Sequence, residues 1–287
     1  MGYAGRRNAA AYLLIYHSGE YMKINYQETT SDLAVRIDIH NKFGGKDIDA
    51  WMLDLIKLQP GSKILDVGCG AGKQCFSYHD YLKGNADITG GDVSDDLLAQ
   101  ARGENEKRGT SIPFITLNFN KQFPFEDNLF DFTSCCFAIY YAEDVPFTIS
   151  EMHRVLKPGG RLFTTGPMPQ NKQLFYDVIR EATNKPIPPM PGSSRYESEF
   201  LPVIRSLFSS VEVHIFENPL TFESAEPFVA YTRASLSEDR KIWTSLFEGK
   251  DDFENLMREI EKVAARRIEK EGKLVMTKVV GGFLATK

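Results

Sequence analysis

The chain has 287 residues, 42% of them hydrophobic, which is enough to bury a sizeable core in one large domain or two small ones. Its formal net charge of −5 argues against a nucleic-acid substrate, because such substrates normally require a basic face. The four cysteines have neither zinc-ligand spacing nor disulfide-framework density, so we expect reduced thiols in a cytoplasmic protein. We find no apolar run of transmembrane length and therefore expect no membrane partner.

The first residues carry a weak resemblance to a secretory signal. Arg6 and Arg7 precede an apolar run at 9–16, but this run is short and no small-residue cleavage site follows it, so we reject the signal-peptide interpretation. The sequence leaves open whether Met1 or Met22 is the natural start.

Strands and helices are predicted to alternate through the middle of the chain. Residues 30–58 are predicted to form helices, which Gly44 and Gly45 interrupt. The alternation that follows is typical of a parallel sheet covered on both faces. We expect strands at 63–67, 87–92, 112–117, 130–136 and 161–166, and helices at 73–83, 95–108 and 145–156. A tight turn is predicted at Lys157-Pro158-Gly159-Gly160, because proline stops a helix and glycine reverses the chain.

The pattern changes after Pro167. A proline-rich run at 185–192 is unsuited to any regular element. Around it the sequence predicts helices at 171–183, 196–208, 224–235 and 238–270, and strands at 211–217 and 274–286.

A glycine-rich turn between the first strand and its helix is the most informative feature of the chain. Gly68, Gly70 and Gly72 follow the buried strand directly, and glycine lets the backbone turn sharply and lets a ligand approach closely. The helix after the turn directs unpaired N–H groups and a positive dipole end at the same place. The pattern is neither G-x-G-x-x-G, because Lys73 occupies the last position, nor a P-loop, because position 74 is Gln. It predicts a nucleotide-binding turn of another kind.

The G-x-G-x-G run after a strand that ends with Asp66 and Val67 resembles the first motif of the class I S-adenosylmethionine (SAM) methyltransferases. The resemblance continues in order along the chain, at Gly90–Ser94, Leu117–Asn120, Phe123–Phe125, Phe130–Asp131, Glu151–Leu162 and Gly281–Lys287.

The resemblance implies an α/β fold with a Rossmann-like, seven-stranded, mostly parallel sheet whose last strand is antiparallel. It also implies a helical N-terminal cap and helical lid insertions at 168–198 and 218–270. We expect an N-terminal extension with cap helices at 1–58, a SAM-binding core at 59–167, and lid insertions plus the final strands of the same core at 168–287.

The same resemblance implies a SAM site around the turn. Gly68, Gly70 and Gly72 would let the backbone approach the methionine portion, and Asp66 would help to hold its ammonium group through the turn. Asp92, at the end of the second strand, would accept hydrogen bonds from the ribose hydroxyls.

Four further residues are implied by the resemblance to contact the cofactor. Asn118 stands where the family usually has an Asp that accepts a hydrogen bond from the adenine amino group, and an amide oxygen can also accept one. Cys135 and Phe137 would line the cofactor with backbone groups. Arg36, on a helix expected to fold over the cofactor, is a candidate for the SAM carboxylate because a guanidinium suits that group.

The acceptor side is marked by fewer residues. In relatives, aromatic or histidine residues after the fourth strand often face the acceptor, which makes Tyr140 and Tyr141 candidates for catalysis. His40 is a candidate base on the segment expected to cap the site, and His153 is expected to pack. The run Arg195-Tyr196-Glu197 is either an acceptor-binding cluster or an ordinary charged helix start. We locate no carboxylate cluster for a metal ion.

Absent motifs narrow the substrate. Residues 135–140 lack the [DN]-P-P-[YF] run of nucleic-acid and glutamine methyltransferases, and no Pro-Cys nucleophile of the cytosine-C5 type is present. With 20 Phe, 12 Tyr and long lids, we expect a SAM-dependent methyltransferase acting on a small organic acceptor at an oxygen, nitrogen or carbon atom, and a homodimer is compatible with this organisation. The alternatives are a catalytically inactive SAM-binding partner subunit and an aminopropyltransferase-like enzyme.

Overall fold

A computed structural model describes residues 30–187, 193, 195–238, 246 and 252–287. The segment around Met22 and the proline-rich residues 188–192 lie outside the described part, as do 239–245 and 247–251 of the predicted 238–270 helix. Across the described residues, no helix is both long enough and apolar enough to cross a membrane.

Two helices precede the sheet. Helix α1 spans Thr30–Phe43 and helix α2 spans Ile48–Ile56. The side chain of Asp47 caps α2 by accepting hydrogen bonds from the backbone N–H groups of Asp49 at 2.8 Å and Ala50 at 3.2 Å. The break at Gly44 and Gly45 therefore falls where the sequence predicts it.

The sheet has seven strands in the order β3-β2-β1-β4-β5-β7-β6. Strand β7 is antiparallel to both of its neighbours, β5 and β6, and the other pairs are parallel. The strands are β1 Lys63–Val67, β2 Asp87–Asp92, β3 Phe114–Thr116, β4 Phe130–Cys136, β5 Leu156–Pro167, β6 Ser210–Phe222 and β7 Leu274–Thr286. The predicted fold class is confirmed, including the single reversed strand.

Helices cover both faces of the sheet, as expected for parallel strands. Leu65 and Val67 of β1 pack into a core on one face, whereas Ile64 packs into a second core on the other. The helices are α3 Lys73–Tyr81, α4 Asp95–Arg108, α5 Val145–Val155, α6 Gln173–Thr183, α7 Leu201–Leu207, α8 Ala225–Glu238 and α9 Asp252–Glu271, and a π-helical turn at Tyr196–Phe200 leads into α7.

Two elements differ in detail from the sequence prediction. Strand β5 begins at Leu156, but its pairing with β4 jumps from Phe130–Leu156 to Phe132–Arg161, so the predicted turn at 157–160 is an excursion within the strand. Strand β3 has only three residues, Phe114–Thr116, against the six predicted.

The largest correction concerns the start of the second lid segment. Residues 218–222, predicted as lid, belong to β6, which pairs with β7 as far as Phe222–Leu274. Strand β5 ends at Pro167, opposite Val280, so the outer halves of β6 and β7 continue beyond the carboxyl edge of the parallel strands as a two-stranded extension. Leu220 and Phe222 are fully buried there, which explains why the strand persists.

This extension carries a third hydrophobic core. Its side chains come from α1, α6, α8, α9 and the outer halves of β6 and β7, and aromatic residues such as Phe175, Phe222, Phe228 and Tyr231 fill its centre. We call these four helices and the strand extension the lid. Because the lid is built on strands of the main sheet, it rises directly from the carboxyl edge.

Candidate functional site

The glycine turn closes tightly against strand β2. The N–H groups of Gly68 and Cys69 both donate to the carbonyl oxygen of Gly91, at 2.7 and 3.0 Å. Gly68 has a φ of 69°, and a Cβ atom there would lie 2.6 Å from the Cβ of Ala138. Only glycine fits this position, because it needs both a left-handed conformation and close approach of the segment after β4.

The turn has open space beside Gly70 but is closed at Gly72. A Cβ atom on Gly72 would meet the Phe114 ring at 2.8 Å, whereas one on Gly70 would find only Leu97, at 4.0 Å. Gly72 is the N-cap of α3 and has no side chain that could satisfy the first amides of the helix. The turn therefore offers open space and backbone donors at the positive end of a helix dipole, which suits a polar ligand.

Asp92 joins the turn to the end of β2. Its carboxylate accepts hydrogen bonds from the N–H of Gly70 at 2.8 Å and from the N–H of Ser94 at 2.9 Å. The side chain is mostly buried, with 9% of the residue exposed. A carboxylate has about four acceptor sites, so Asp92 can also accept from ligand hydroxyls beside Gly70.

Asp66 lies beneath the turn, with only 1% of the residue exposed. Its carboxyl group accepts from the Ser134 hydroxyl at 2.6 Å and from the Cys75 thiol at 3.6 Å. Burial raises the pKa of Asp66 to about 7, despite these two hydrogen bonds. The hydrogen-bond partners of the Asp66 carboxyl group thus belong to β4 and α3, and its role in holding the SAM ammonium group stays a prediction.

Asn118 follows β3, and Cys135 lies in β4. The side-chain oxygen of Asn118 accepts from the N–H of Asn120 at 2.9 Å, which fixes the amide in a local turn and directs its NH₂ group elsewhere. Cys135 is fully buried, and its sulfur would lie 3.8 Å from a Cβ atom on Gly68. Burial raises the pKa of the Cys135 thiol, so it stays protonated beneath the turn.

The segment after β4 is held in an unusual conformation. Phe137 has a φ of 58° although it carries a bulky side chain, and 37% of the residue is exposed. Its N–H donates to the backbone carbonyl oxygen of Thr165 at 3.1 Å. Backbone strain of this kind at the end of a strand is typical of ligand-binding segments.

Tyr140 and Tyr141 follow in a short 3₁₀ helix, Ile139–Tyr141. Both are partly buried, and their ring centroids lie 4.7 Å apart. The Arg195 guanidinium donates to the backbone carbonyl oxygen of Tyr140 at 3.1 Å and also pairs with Glu199. Arg195 thereby connects the segment after β5 to the tyrosine pair.

Within the run at 195–197, Arg195 contacts the tyrosine pair, whereas Tyr196 lies in the core. Tyr196 is completely buried, its hydroxyl lies 3.0 Å from the Thr164 hydroxyl, and its ring stacks on Phe283 with centroids 4.4 Å apart. Tyr196 is therefore a packing residue. His153 also packs, edge-on against Phe208 at 5.0 Å.

Arg36 and His40 lie in the lid. The His40 ring meets Tyr231 of α8 edge-on, with centroids 5.6 Å apart. Burial lowers the pKa of His40 to about 2, and the charges of Lys278, Lys172 and Arg36 add to the effect. Three cations therefore act electrostatically on His40: Arg36 and two lysines that sequence analysis did not single out.

The N-terminal cap reaches the glycine turn through another residue, which sequence analysis also missed. Asp49 of α2 forms an ion pair with Lys73 at 2.7 Å and accepts from the side-chain amide of Gln74 at 3.3 Å. Sequence analysis had one relevant signal, the position of Lys73 directly after the glycines. This signal does not identify Asp49 as the partner of Lys73. In the described ranges, no group of three or more His, Cys, Asp or Glu side chains is placed to hold a metal ion.

The fold and the glycine turn define a Rossmann-like nucleotide-binding protein. A methyltransferase-domain profile matches residues 65–164. Demethylmenaquinone methyltransferase from Chlorobaculum tepidum is 33% identical over 183 residues, which cover 58% of this chain and 72% of that protein. Nocamycin O-methyltransferase from Saccharothrix syringae is 28% identical, over 41% of this chain and 42% of that protein.

A solved structure of a putative methyltransferase from Bacillus halodurans superimposes with a TM-score of 0.55 at 18% identity, covering 84% of this chain and 98% of that one. Alignments with other demethylmenaquinone methyltransferases span about half of their length, 49% and 52% in two cases. The chain belongs to the class I SAM-dependent methyltransferase family, whose cofactor is S-adenosylmethionine.

Proposed function

We propose that this protein transfers a methyl group from SAM to a small organic acceptor held between the end of β4 and the lid. Whether the methylated atom is oxygen, nitrogen or carbon is left open. The observation that carries the proposal is the lid itself, which rises from the carboxyl edge of the sheet on its own aromatic core. Ligands of open α/β sheets bind at that edge.

For the cofactor half, we infer that Asp92 accepts hydrogen bonds from the ribose hydroxyls, because its carboxylate lies against the open part of the turn at Gly70. Asn118 would contact the adenine edge, and its amide can donate as well as accept, unlike the Asp usual in the family. The backbone at Gly68 and Gly72 would face the methionine portion, with Asp66 and Cys135 supporting the turn from below.

Bound SAM supplies an electrophilic methyl group, and the protein has to align the acceptor and exclude water. Tyr140 and Tyr141 are our leading candidates for orienting the acceptor, because they follow β4 closely and Arg195 holds the backbone of Tyr140. His40 is the weaker candidate for a base, since a pKa near 2 describes an imidazole with little affinity for a proton. Arg36 remains a candidate for the SAM carboxylate.

The names of the relatives support a small acceptor. Demethylmenaquinone and nocamycin, the acceptors in the names of two of them, are both small organic molecules. We propose the same class for this chain, and we retain the division into a cap at 1–58, a core at 59–167 and lid insertions with final strands at 168–287. A cytoplasmic homodimer without nucleic-acid or membrane partners remains our prediction.

The test is a transfer assay with the full chain. Tritiated-methyl SAM would be incubated with demethylmenaquinol and with a set of small phenols, amines and carboxylic acids, and product radioactivity would be counted after extraction. We expect transfer to at least one compound, together with binding of S-adenosylhomocysteine in isothermal titration. The test variant is Asp92→Asn, which should weaken binding of S-adenosylhomocysteine. The matched control is Asp96→Asn, which changes an exposed residue in the first turn of α4.

The two measurements separate the alternatives. Binding of S-adenosylhomocysteine without transfer to any acceptor would favour a catalytically inactive partner subunit. Failure to bind it would remove the cofactor assignment. Transfer from decarboxylated SAM with an aminopropyl group, in place of methyl transfer, would favour the aminopropyltransferase-like alternative.

A further inference from the structure

Strand β6 lies at one end of the sheet, so only one of its two sides is paired. Its partner is β7, and the strand order of the sheet places no strand on the other side. In an edge strand, alternate residues direct their backbone N–H and C=O groups away from the sheet, where these groups can pair with another strand. Natural proteins usually block such an edge with a proline, a lysine, a bulge or a covering segment.

The outer half of β6 is blocked in this way. Gly44 forms an isolated antiparallel bridge with Leu220, and Pro219 has no N–H group to donate. The side-chain oxygen of Asn218 accepts a hydrogen bond from the N–H of Gly45 at 3.1 Å. The break between α1 and α2 therefore covers this end of the strand.

The inner half of β6, residues 210–216, has none of these blocks, and we call it the open edge. It contains no proline and no lysine, and it pairs with β7 without a shift in register, so it has no bulge. Among the described residues, no strand and no isolated bridge pairs with the side that faces away from β7. The open edge is therefore available to another strand.

Two exposed β-branched residues lie on one face of the open edge. Val213 is 38% exposed and Ile215 is 44% exposed. Val211, two residues earlier on the same face, packs partly buried against the core beneath it. Apolar β-branched side chains at alternate positions along an edge suit contact with a neighbouring strand better than contact with water.

The open edge is complementary to a second copy of itself in one antiparallel register. When Val213 lies opposite Val213 of the second copy, Val211 lies opposite Ile215, and Glu212 lies opposite His214. Apolar pairs then meet on one face, and a carboxylate meets an imidazole on the other. Both polar side chains point to that second face, because they already lie 3.2 Å apart within one chain. Centring the pairing on Glu212 or on His214 would instead place two like groups opposite each other.

We propose that the open edges of two copies of this chain pair antiparallel, in the register centred on Val213, and join the two seven-stranded sheets into one. Each copy uses the same surface, so a two-fold dimer pairs both open edges at once. The two lids point in opposite directions, because the paired strands do. This inference gives the predicted homodimer an interface, and it does not depend on which reaction the protein catalyses.

The first experiment measures the mass of the full chain by size-exclusion chromatography with light scattering, over a range of micromolar concentrations. We expect about twice the 32.5 kDa of one chain. Val213→Lys should raise the dissociation constant of the dimer by about 10-fold or more, because two ammonium groups would face each other across the axis. The matched control is Val275→Lys, which changes a valine of β7 that is 41% exposed and lies away from the open edge. Thermal unfolding checks that both variants fold.

Cysteine cross-linking tests the register with the dimer intact. Val213→Cys should form a disulfide between the copies when copper–phenanthroline oxidises the two thiols, because Cα atoms of directly opposite residues lie about 4.5–5.5 Å apart. Ile215→Cys should not, because the two positions are offset by four residues and lie about 14 Å apart. The wild type, treated in parallel, measures any cross-linking by the four native cysteines.

A wild type that stays monomeric across the concentration range would overturn the proposal, and the open edge would then serve another part of this chain or another protein. A dimer that Val213→Lys leaves intact would overturn it as well, because the contact would lie elsewhere. Cross-linking of Ile215→Cys as efficient as that of Val213→Cys would contradict the register.

Discussion

Replacement of Asp92 by Asn should lower the free energy of unfolding and the affinity for the cofactor. The hydrogen bonds of Asp92 give the size of the first effect. The carboxylate accepts from two backbone N–H groups, at Gly70 and Ser94, and it is mostly buried. Each hydrogen bond to a buried charged group contributes about 1.5–3 kcal/mol. Asn keeps one acceptor but turns an NH₂ group towards the other donor, so we expect a loss of about 2–3 kcal/mol in the free energy of unfolding.

The effect on the cofactor has to be separated from this structural loss. We expect S-adenosylhomocysteine to bind about 5- to 150-fold more weakly to Asp92→Asn, which corresponds to about 1–3 kcal/mol. Isothermal titration of wild type and variant with this ligand and with its 2′,3′-dideoxy analogue forms a double-mutant cycle. If Asp92 contacts the ribose hydroxyls, removing them should cost little in the variant, and the coupling energy should exceed about 1 kcal/mol.

Additive losses, with a coupling below about 0.5 kcal/mol, would refute the direct contact. Asp92 would then act only by holding Gly70 and Ser94, and the ribose would be recognised by another group. Asp96→Asn in the first turn of α4 controls for the change in charge near the site, and it should leave both the stability and the affinity nearly unchanged.

Tyr140→Phe and Tyr141→Phe should leave the affinity for S-adenosylhomocysteine unchanged, and at least one should lower turnover by about 10²-fold or more if its hydroxyl assists proton transfer; unchanged rates in both would exclude that role. For Asp66, the pKa is raised from 3.8 to about 7, so the folded protein retains the proton longer than the unfolded chain. Stability relative to Asp66→Asn should therefore fall as the pH rises from about 4 to 7, by on the order of 3–4 kcal/mol, and level off above pH 7. Urea unfolding across that range measures the difference, and a flat profile would mean an ordinary pKa. Gly103→Ala should stabilise the protein by about 0.5–1 kcal/mol in thermal unfolding, because a Cβ meets no atom within 4 Å inside α4, and a loss of stability would contradict this.

The part of the fold that sequence analysis predicted best is governed by local physical rules. Strand β1, the glycine turn and the start of α3 lie within eleven residues, 63–73, and each step has a local cause: an apolar run, positive φ angles and an uncapped helix start. The seven-stranded sheet with its reversed last strand came from the family resemblance, because strand number and direction are non-local properties that periodicity does not encode.

The lid boundary was misplaced at a point where a local signal opposes a strand. Pro219 lies within residues 218–222, and proline ordinarily argues against a strand. It is tolerated here because β6 is the edge strand of the sheet and β7 pairs with it on one side only, with Pro219 opposite Thr277. The burial of Leu220 and Phe222 in the lid core outweighs the lost donor.

The contact between the N-terminal cap and the glycine turn was beyond sequence analysis for a different reason. Asp49 and Lys73 look like solvated charges when each is taken alone, and they are far apart in the sequence. Only the packing of α2 against α3 brings their charged groups to 2.7 Å.

The division of the sheet edge between parallel and antiparallel strands explains how one fold can combine a fixed cofactor site with a variable acceptor site. The parallel strands β1, β2 and β4 all end at this edge, where we propose that the turns after them hold the cofactor. The β6–β7 pair is antiparallel and continues outwards, so it can carry side chains and helices above that edge. Among the described residues, the lid core contains no side chain of β1 to β4. Residues of the lid can therefore change the chemistry of the acceptor site without disturbing the hydrogen bonds of the turn.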